Sequence, residues 1–138
     1  MYNYIKENRI KVLIVPLILY WLVLFIGTSL PSAKYADFFE ISDKIKHCSA
    51  YSILAVLLGL NLYFQEKWEN FSTYYLNYTF IICGLYGILD ELHQLFVPNR
   101  SAEVLDWLAD IGGTILGIIA VRFFIKYLKK NITITETR

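Results

Sequence analysis

Residues 12–33 form a run of 22 residues without a charged side chain. At about 1.5 Å rise per residue, such a run makes roughly 33 Å of helix, enough to cross a hydrocarbon core of about 30 Å. In lipid each backbone group must find its partner within the segment or a closed barrel. Further apolar runs follow at 48–65, 71–89 and 104–125, too long for barrel strands and without their alternation. The sequence therefore predicts an all-α integral membrane four-helix bundle, with helices at about 11–30, 46–65, 74–96 and 104–127. It reads as a single domain over residues 1–138 with its core at 10–127. Pro16 falls one turn inside the first run, where the carbonyl it frees lies near the membrane surface.

Composition agrees. Apolar residues make up 57% of the chain and charged residues 18%, against about 45–50% and 25% in soluble domains. A net charge of +1 gives no case for nucleic acid. Two cysteines define neither a disulfide framework nor a Cys-based zinc site. The first run is longer than the apolar region of a cleaved signal peptide, and no small-residue cleavage site follows it. Residues 66–70 read as a short polar turn with an interfacial Trp68, and the tail beyond Lys130 as polar and frayed.

Lys and Arg counts set the expected orientation. Lys6, Arg9, Lys11, Lys67, Arg122, Lys126, Lys129, Lys130 and Arg138 fall on one side; Lys34, Lys44, Lys46 and Arg100 fall on the other. Nine against four predicts cytoplasmic N- and C-termini, with the first and third connections facing outward.

A charge deep in a bilayer costs about 2.5–3.5 kcal/mol on insertion scales, yet three predicted helices carry charges at similar depth. Asp43, His47 and Tyr51 are spaced by four and share one helix face. Gly84, Gly87, Glu91 and Gln94 share a second, and Asp106, Asp110, Gly113 and Gly117 a third. The glycines continue each polar stripe inward, where a neighbouring helix can approach closely. All three stripes reach the outer half of the membrane. Between the last two helices, Pro98 ends one helix, Asn99 supplies a turn and Ser101 is placed to cap the next, with Glu103 in its positive first turn. Arg100 sits at the rim, suited to neutralising the acids or gripping an anionic headgroup.

These blocks resemble the VanZ-like family of small bacterial membrane proteins. Asp43-Lys44-Ile45-Lys46-His47 with Tyr51 is similar to a DKxxHxxxY block. The segment from Asp90 to Arg100 is similar to a DExxQxFxPGR block, with Asn99 in place of the usual Gly. Asp106, Asp110, Gly113 and Gly117 follow the family's closing pattern. The resemblance spans residues 10–125. It implies four membrane helices and a role at the cell envelope, the name-giving member being associated with resistance to the glycopeptide teicoplanin.

The candidate catalytic residues are His47, Asp43, Glu91 and Asp106; the candidate ligand-binding residues are Lys44, Tyr51, Gln94, Arg100 and Asp110. As a pocket, the set would take a membrane lipid or lipid-linked precursor, with His47 as acid or base. No cofactor is identified, and the acids suit a divalent cation that in turn holds a phosphate. As a structural network, the same residues would hold three helices in register. A membrane enzyme, a non-catalytic binding or shielding protein and a small transporter all remain open. One-sided polarity argues against the last, which needs access from both faces. Lys44 beside Asp43 reads as a snorkelling pair. His93 lies off the Glu91 face and reads as an interfacial hydrogen-bonding group. Gly113 and Gly117 read as packing within one chain more readily than as a dimer seam. Oligomeric state is not legible.

Overall fold

The computed structural model describes residues 1–31 and 40–136, with side chains at 1–31 and 43–131. Ala33, Lys34 and Arg138, used in the span and charge arguments above, lie outside the described residues. The chain runs α1 (Tyr2–Glu7), a π-helical turn (Ile10–Ile14), α2 (Val15–Ser29), α3 (Glu40–Phe64), α4 (Glu69–Thr73), α5 (Tyr75–Gln94) and α6 (Val104–Glu136). Among the described residues there is no strand, and the protein is an all-α membrane bundle.

Two boundaries differ from expectation. Helix α3 begins at Glu40 rather than 46, and α6 continues to Glu136 rather than fraying after Lys130. Charge marks where the apolar layer ends, not where a helix ends. Neither stretch contains the Gly or Pro that would stop one. The connection after α3 also contains the short helix α4. There the Gln65 side chain closes on the backbone of Trp68, its Oε1 accepting the Trp68 N–H at 2.8 Å.

Three helical stretches are long and apolar enough to cross a membrane: Ile10–Ser29, Asp43–Phe64 and Val104–Asn131. Helix α5, at 20 residues, has the length of a span, and its last two turns carry Asp90, Glu91, His93 and Gln94. The surface is that of a lipid-facing bundle. Phe96, Val104 and Phe123 stand exposed, while His47, Asp90, Glu91, Asp106, Asp110 and Thr114 are buried. Water would penalise the first group, and lipid would penalise exposure of the second.

Helices α3 and α6 form the central pair, because glycines on α6 let their backbones meet. A Cβ at Gly113 would strike the Cys48 carbonyl, and one at Gly117 would strike the Ser52 carbonyl and the Ala55 methyl. The Ser52 hydroxyl donates to the Gly113 carbonyl at 2.9 Å. This seam is therefore filled within the chain, as the packing reading expected. Helix α5 lies against both, and α2 leans on them through Leu17, Tyr51, Leu54 and Cys83.

The backbone departs from a regular α-helix just before Pro16. The proline ring would crowd the carbonyl of residue 12 in a regular helix. Immediately before it the chain widens into the π turn, with the Val15 N–H on the Ile10 carbonyl. The Asn61 side chain on α3 then donates to the Leu13 carbonyl at 2.8 Å and to Leu57 at 2.9 Å. A buried amide thus ties the turn before the proline to α3. The same end holds the Lys6–Glu66 ion pair at 2.6 Å and the Tyr2–Phe64 ring contact. The start of the chain and the α3–α5 connection thus share one end of the bundle, and the polar stripes converge at the other.

Candidate functional site

Three helices supply the polar end. On α6, Asp106 and Asp110 lie one turn apart on the face toward α3. The Lys44 ammonium reaches across to Asp106 Oδ1 at 2.6 Å and Glu103 Oε2 at 2.9 Å. The expected Lys44–Asp43 pair does not form. Adjacent helical residues point about 100° apart, so Asp43 instead meets Lys46, three residues on, at 3.6 Å. One turn deeper, His47 Nδ1 lies 2.9 Å from Asp110 Oδ1, with the Asp110 side chain fully buried. Tyr51, a further turn in, is buried with its ring near Tyr86 and its hydroxyl without a partner among the described residues.

Helix α5 closes the third side. Glu91 Oε2 accepts the Glu103 backbone N–H at 2.7 Å, and its Oε1 accepts from Gln94 at 3.3 Å. Gln94 Oε1 in turn accepts from Arg100 Nη1 at 3.3 Å. Trp107 donates its indole N–H to the Gly84 carbonyl at 3.1 Å, locking α6 onto the glycine face of α5. Asn99 has φ 59° and the Arg100 N–H returns to the Val97 carbonyl at 3.2 Å. Pro98 and Asn99 thus make the turn for which Asn substitutes well for Gly.

Two expectations in this connection change. Ser101 does not cap α6. Its hydroxyl lies on the Glu103 carboxylate at 3.4 Å, and the Glu103 carbonyl accepts the Asp106 N–H that opens the helix. With its own N–H held by Glu91, Glu103 is the better-placed residue to start the helix. Arg100, for its part, makes no ion pair among the described residues. Its guanidinium donates to the Leu30 and Gly27 carbonyls at 3.0 and 3.1 Å, at the C-terminus of α2 where unpaired carbonyls favour a cation. His93 joins the same corner through Ser29 at 3.0 Å, a hydrogen-bonding role as its position suggested.

The structure therefore brings together Asp43, Lys44, His47, Glu91, Gln94, Asp106 and Asp110, with Arg100 at the edge. Asp43, His47 and Asp106 present ligating atoms within 4.8 Å of one another, as do His47, Glu91 and Asp110. Two residues were missed from the candidate set. Glu103 is a direct partner of Lys44 and Glu91, and Asp90 is buried beside the cluster. Asp90 carried a signal in being an acid within a span; Glu103 looked like an ordinary first-turn acid.

Beside this network a cavity of about 320 Å³ opens between α5 and α6. Its walls are Ile88, Leu92, Ala102, Val104 and Trp107, and Glu91 and Glu103 lie at its polar side. The wall residues Leu92 and Val104 are exposed on the lipid-facing surface.

A family model described as VanZ/LLP1 matches residues 11–125, most of the chain. The chain belongs to the VanZ-like family. Among curated proteins and among solved structures nothing matches it. VanZ-like membership makes this a cell-envelope-associated membrane protein. The three blocks through which the sequence resembled the VanZ-like pattern are the segments that meet at the polar end of the bundle.

Proposed function

We propose that the protein binds the polar headgroup of a lipid or lipid-linked envelope precursor at the outer leaflet, by way of the cavity between α5 and α6. The observation that carries this reading is the cavity itself: its walls are apolar and open toward lipid, and the buried Glu91 and the half-exposed Glu103 line it. An acyl or isoprenoid chain suits the walls, and hydrogen-bonding or charged headgroup atoms suit the network behind them. His47 would serve any proton transfer, its ring oriented by Asp110. Binding and modification separate by mass. Envelope lipids from cells with and without the protein would differ in mass for a modifying enzyme, and would match for a binder or shield that copurifies with unaltered lipid. Copurification of no lipid, with unchanged envelope composition, would refute both.

The outward orientation is part of the proposal and has its own test. Of the four cations on the outer side, Lys44, Lys46 and Arg100 are engaged with carboxylates or helix carbonyls; they act as site residues and not as topology signals. A reporter fused after the last residue should report the cytoplasm, and one inserted at Asn99 the exterior. The reverse labelling would place the cluster on the inner leaflet and end the outer-leaflet reading.

Charge removal separates pocket from structural network. Glu91→Gln and Asp106→Asn keep shape and most hydrogen bonds, and interhelical hydrogen bonds in membranes average only about 0.6 kcal/mol. Both variants should accumulate normally yet lose lipid copurification. Arg100→Gln does not suit this comparison, because it also removes the clamp on α2. If lipid copurification and protein level fall together in both variants, the cluster is structural and the pocket reading is withdrawn.

A further inference from the structure

We propose that His47, Glu91 and Asp110 form a binding site for one divalent transition-metal ion, buried where α3, α5 and α6 meet. The site stands on its own residues and does not depend on the lipid reading.

Each of the three helices contributes one donor, and all three donor atoms lie within 4.8 Å of one another. Bonds of about 2.0–2.2 Å to nitrogen and carboxylate oxygen put neighbouring ligand atoms roughly 3–3.5 Å apart. The 2.9 Å separation of His47 Nδ1 and Asp110 Oδ1 already matches one edge of such a polyhedron. A second observation is independent of the cluster's shape. Asp110 is fully buried, and its Oδ2 accepts no hydrogen bond among the described residues. That oxygen faces Gly87, where a Cβ would lie 3.2 Å from it. Gly87 is one turn before Glu91 on the same face of α5, and its lack of a side chain lets α6 bring the orphan oxygen close to that face. A buried carboxylate oxygen without a donor is costly, and a cation satisfies it.

Charge accounting points the same way. Lys44 is taken up by Asp106 and Glu103, and Arg100 by Gln94 and the α2 carbonyls. The imidazole of His47 is thus the one cationic partner among the described residues for two buried carboxylates, Glu91 and Asp110. A dication in place of the proton shared by His47 and Asp110 balances them. The neighbouring set of Asp43, His47 and Asp106 is the poorer choice, because the Lys44 ammonium sits 2.6 Å from Asp106 and repels a second cation. One imidazole and two carboxylates suit Zn²⁺ or Mn²⁺ better than Ca²⁺ or Mg²⁺, which take nearly all-oxygen shells. Three protein ligands also leave coordination positions open for an exogenous oxygen.

The test uses the full chain in detergent, stripped with chelator and reloaded separately with Zn²⁺, Mn²⁺ and Co²⁺. The expected result is one equivalent per chain for at least one ion. His47→Gln and Asp110→Asn should each weaken binding at least about tenfold. Glu69→Gln, at the opposite end of the bundle, should bind as the unaltered protein does. X-ray absorption of the metal-loaded unaltered protein should show one imidazole among oxygen ligands, a readout that survives if either variant fails to fold. Failure of all three ions to bind stoichiometrically, a shell without imidazole, or undiminished binding in folded His47→Gln and Asp110→Asn would each overturn the site. Loss of the metal proposal with lipid copurification intact would leave the lipid reading standing, and the converse holds as well.

Discussion

Gly113→Ala should prevent stable folding, whereas Gly112→Ala, one residue away, should be tolerated or mildly stabilising. At Gly113 the added methyl meets the carbonyl and Cα of Cys48, all backbone atoms. No side chain can swing aside, so α3 and α6 must separate. Overpacking of this kind costs about 3 kcal/mol or more, a large part of the stability of a small domain. Separation would also lengthen the His47–Asp110 contact, because His47 neighbours Cys48 and Asp110 lies one turn before Gly113. At Gly112 nothing lies within 4 Å of the added atom, and Ala is favoured over Gly in a helix by up to about 1 kcal/mol. Thermal unfolding by circular dichroism, together with the level of protein in membranes, reads the contrast. Equal behaviour of the two variants would show that the helices do not approach at Gly113.

Lys44→Met should be the most damaging single change among the charged residues. It leaves Asp106, whose side chain is only 5% exposed, without its ammonium partner. Breaking a buried pair by removing one partner costs about 3–5 kcal/mol. The lower end applies, because the second acid, Glu103, is about half exposed and can be hydrated. Adding Asp106→Asn to Lys44→Met removes the stranded charge and should recover most of the loss. The informative comparison is between the single and double variants in the same detergent. A double variant no more stable than Lys44→Met would mean that the ammonium supports something other than Asp106.

The polar stripes were legible because helical period alone decides which residues share a face. Asp43 with His47, Glu91 with Gln94, and Asp106 with Asp110 needed no tertiary information. Their partners were not legible. Lys44 bypasses the acid beside it for two acids some sixty residues away, and sequence proximity carries no information about that reach. Arg100 spends its guanidinium on carbonyls of α2, and backbone acceptors have no signature in a sequence. Ser101 offered the better capping side chain, but the Glu91 carboxylate took the Glu103 N–H and so placed the start of α6 there. Pro16 announced an irregularity without revealing that a π turn and Asn61 would resolve it.

That π turn also sets a rotational phase. It closes over one more residue than an α turn, and each residue in a helix accounts for about 100° of azimuth. Deleting one residue from Ile10–Ile14 would restore a regular helix and turn everything upstream by about that angle relative to α2. Ile5, now packed with Phe64, Val121 and Leu128, would swing toward lipid, and the Lys6–Glu66 pair would part. The extra residue acts as a phase shifter. It lets the first segment of the chain address one neighbour while α2, beyond Pro16, addresses another.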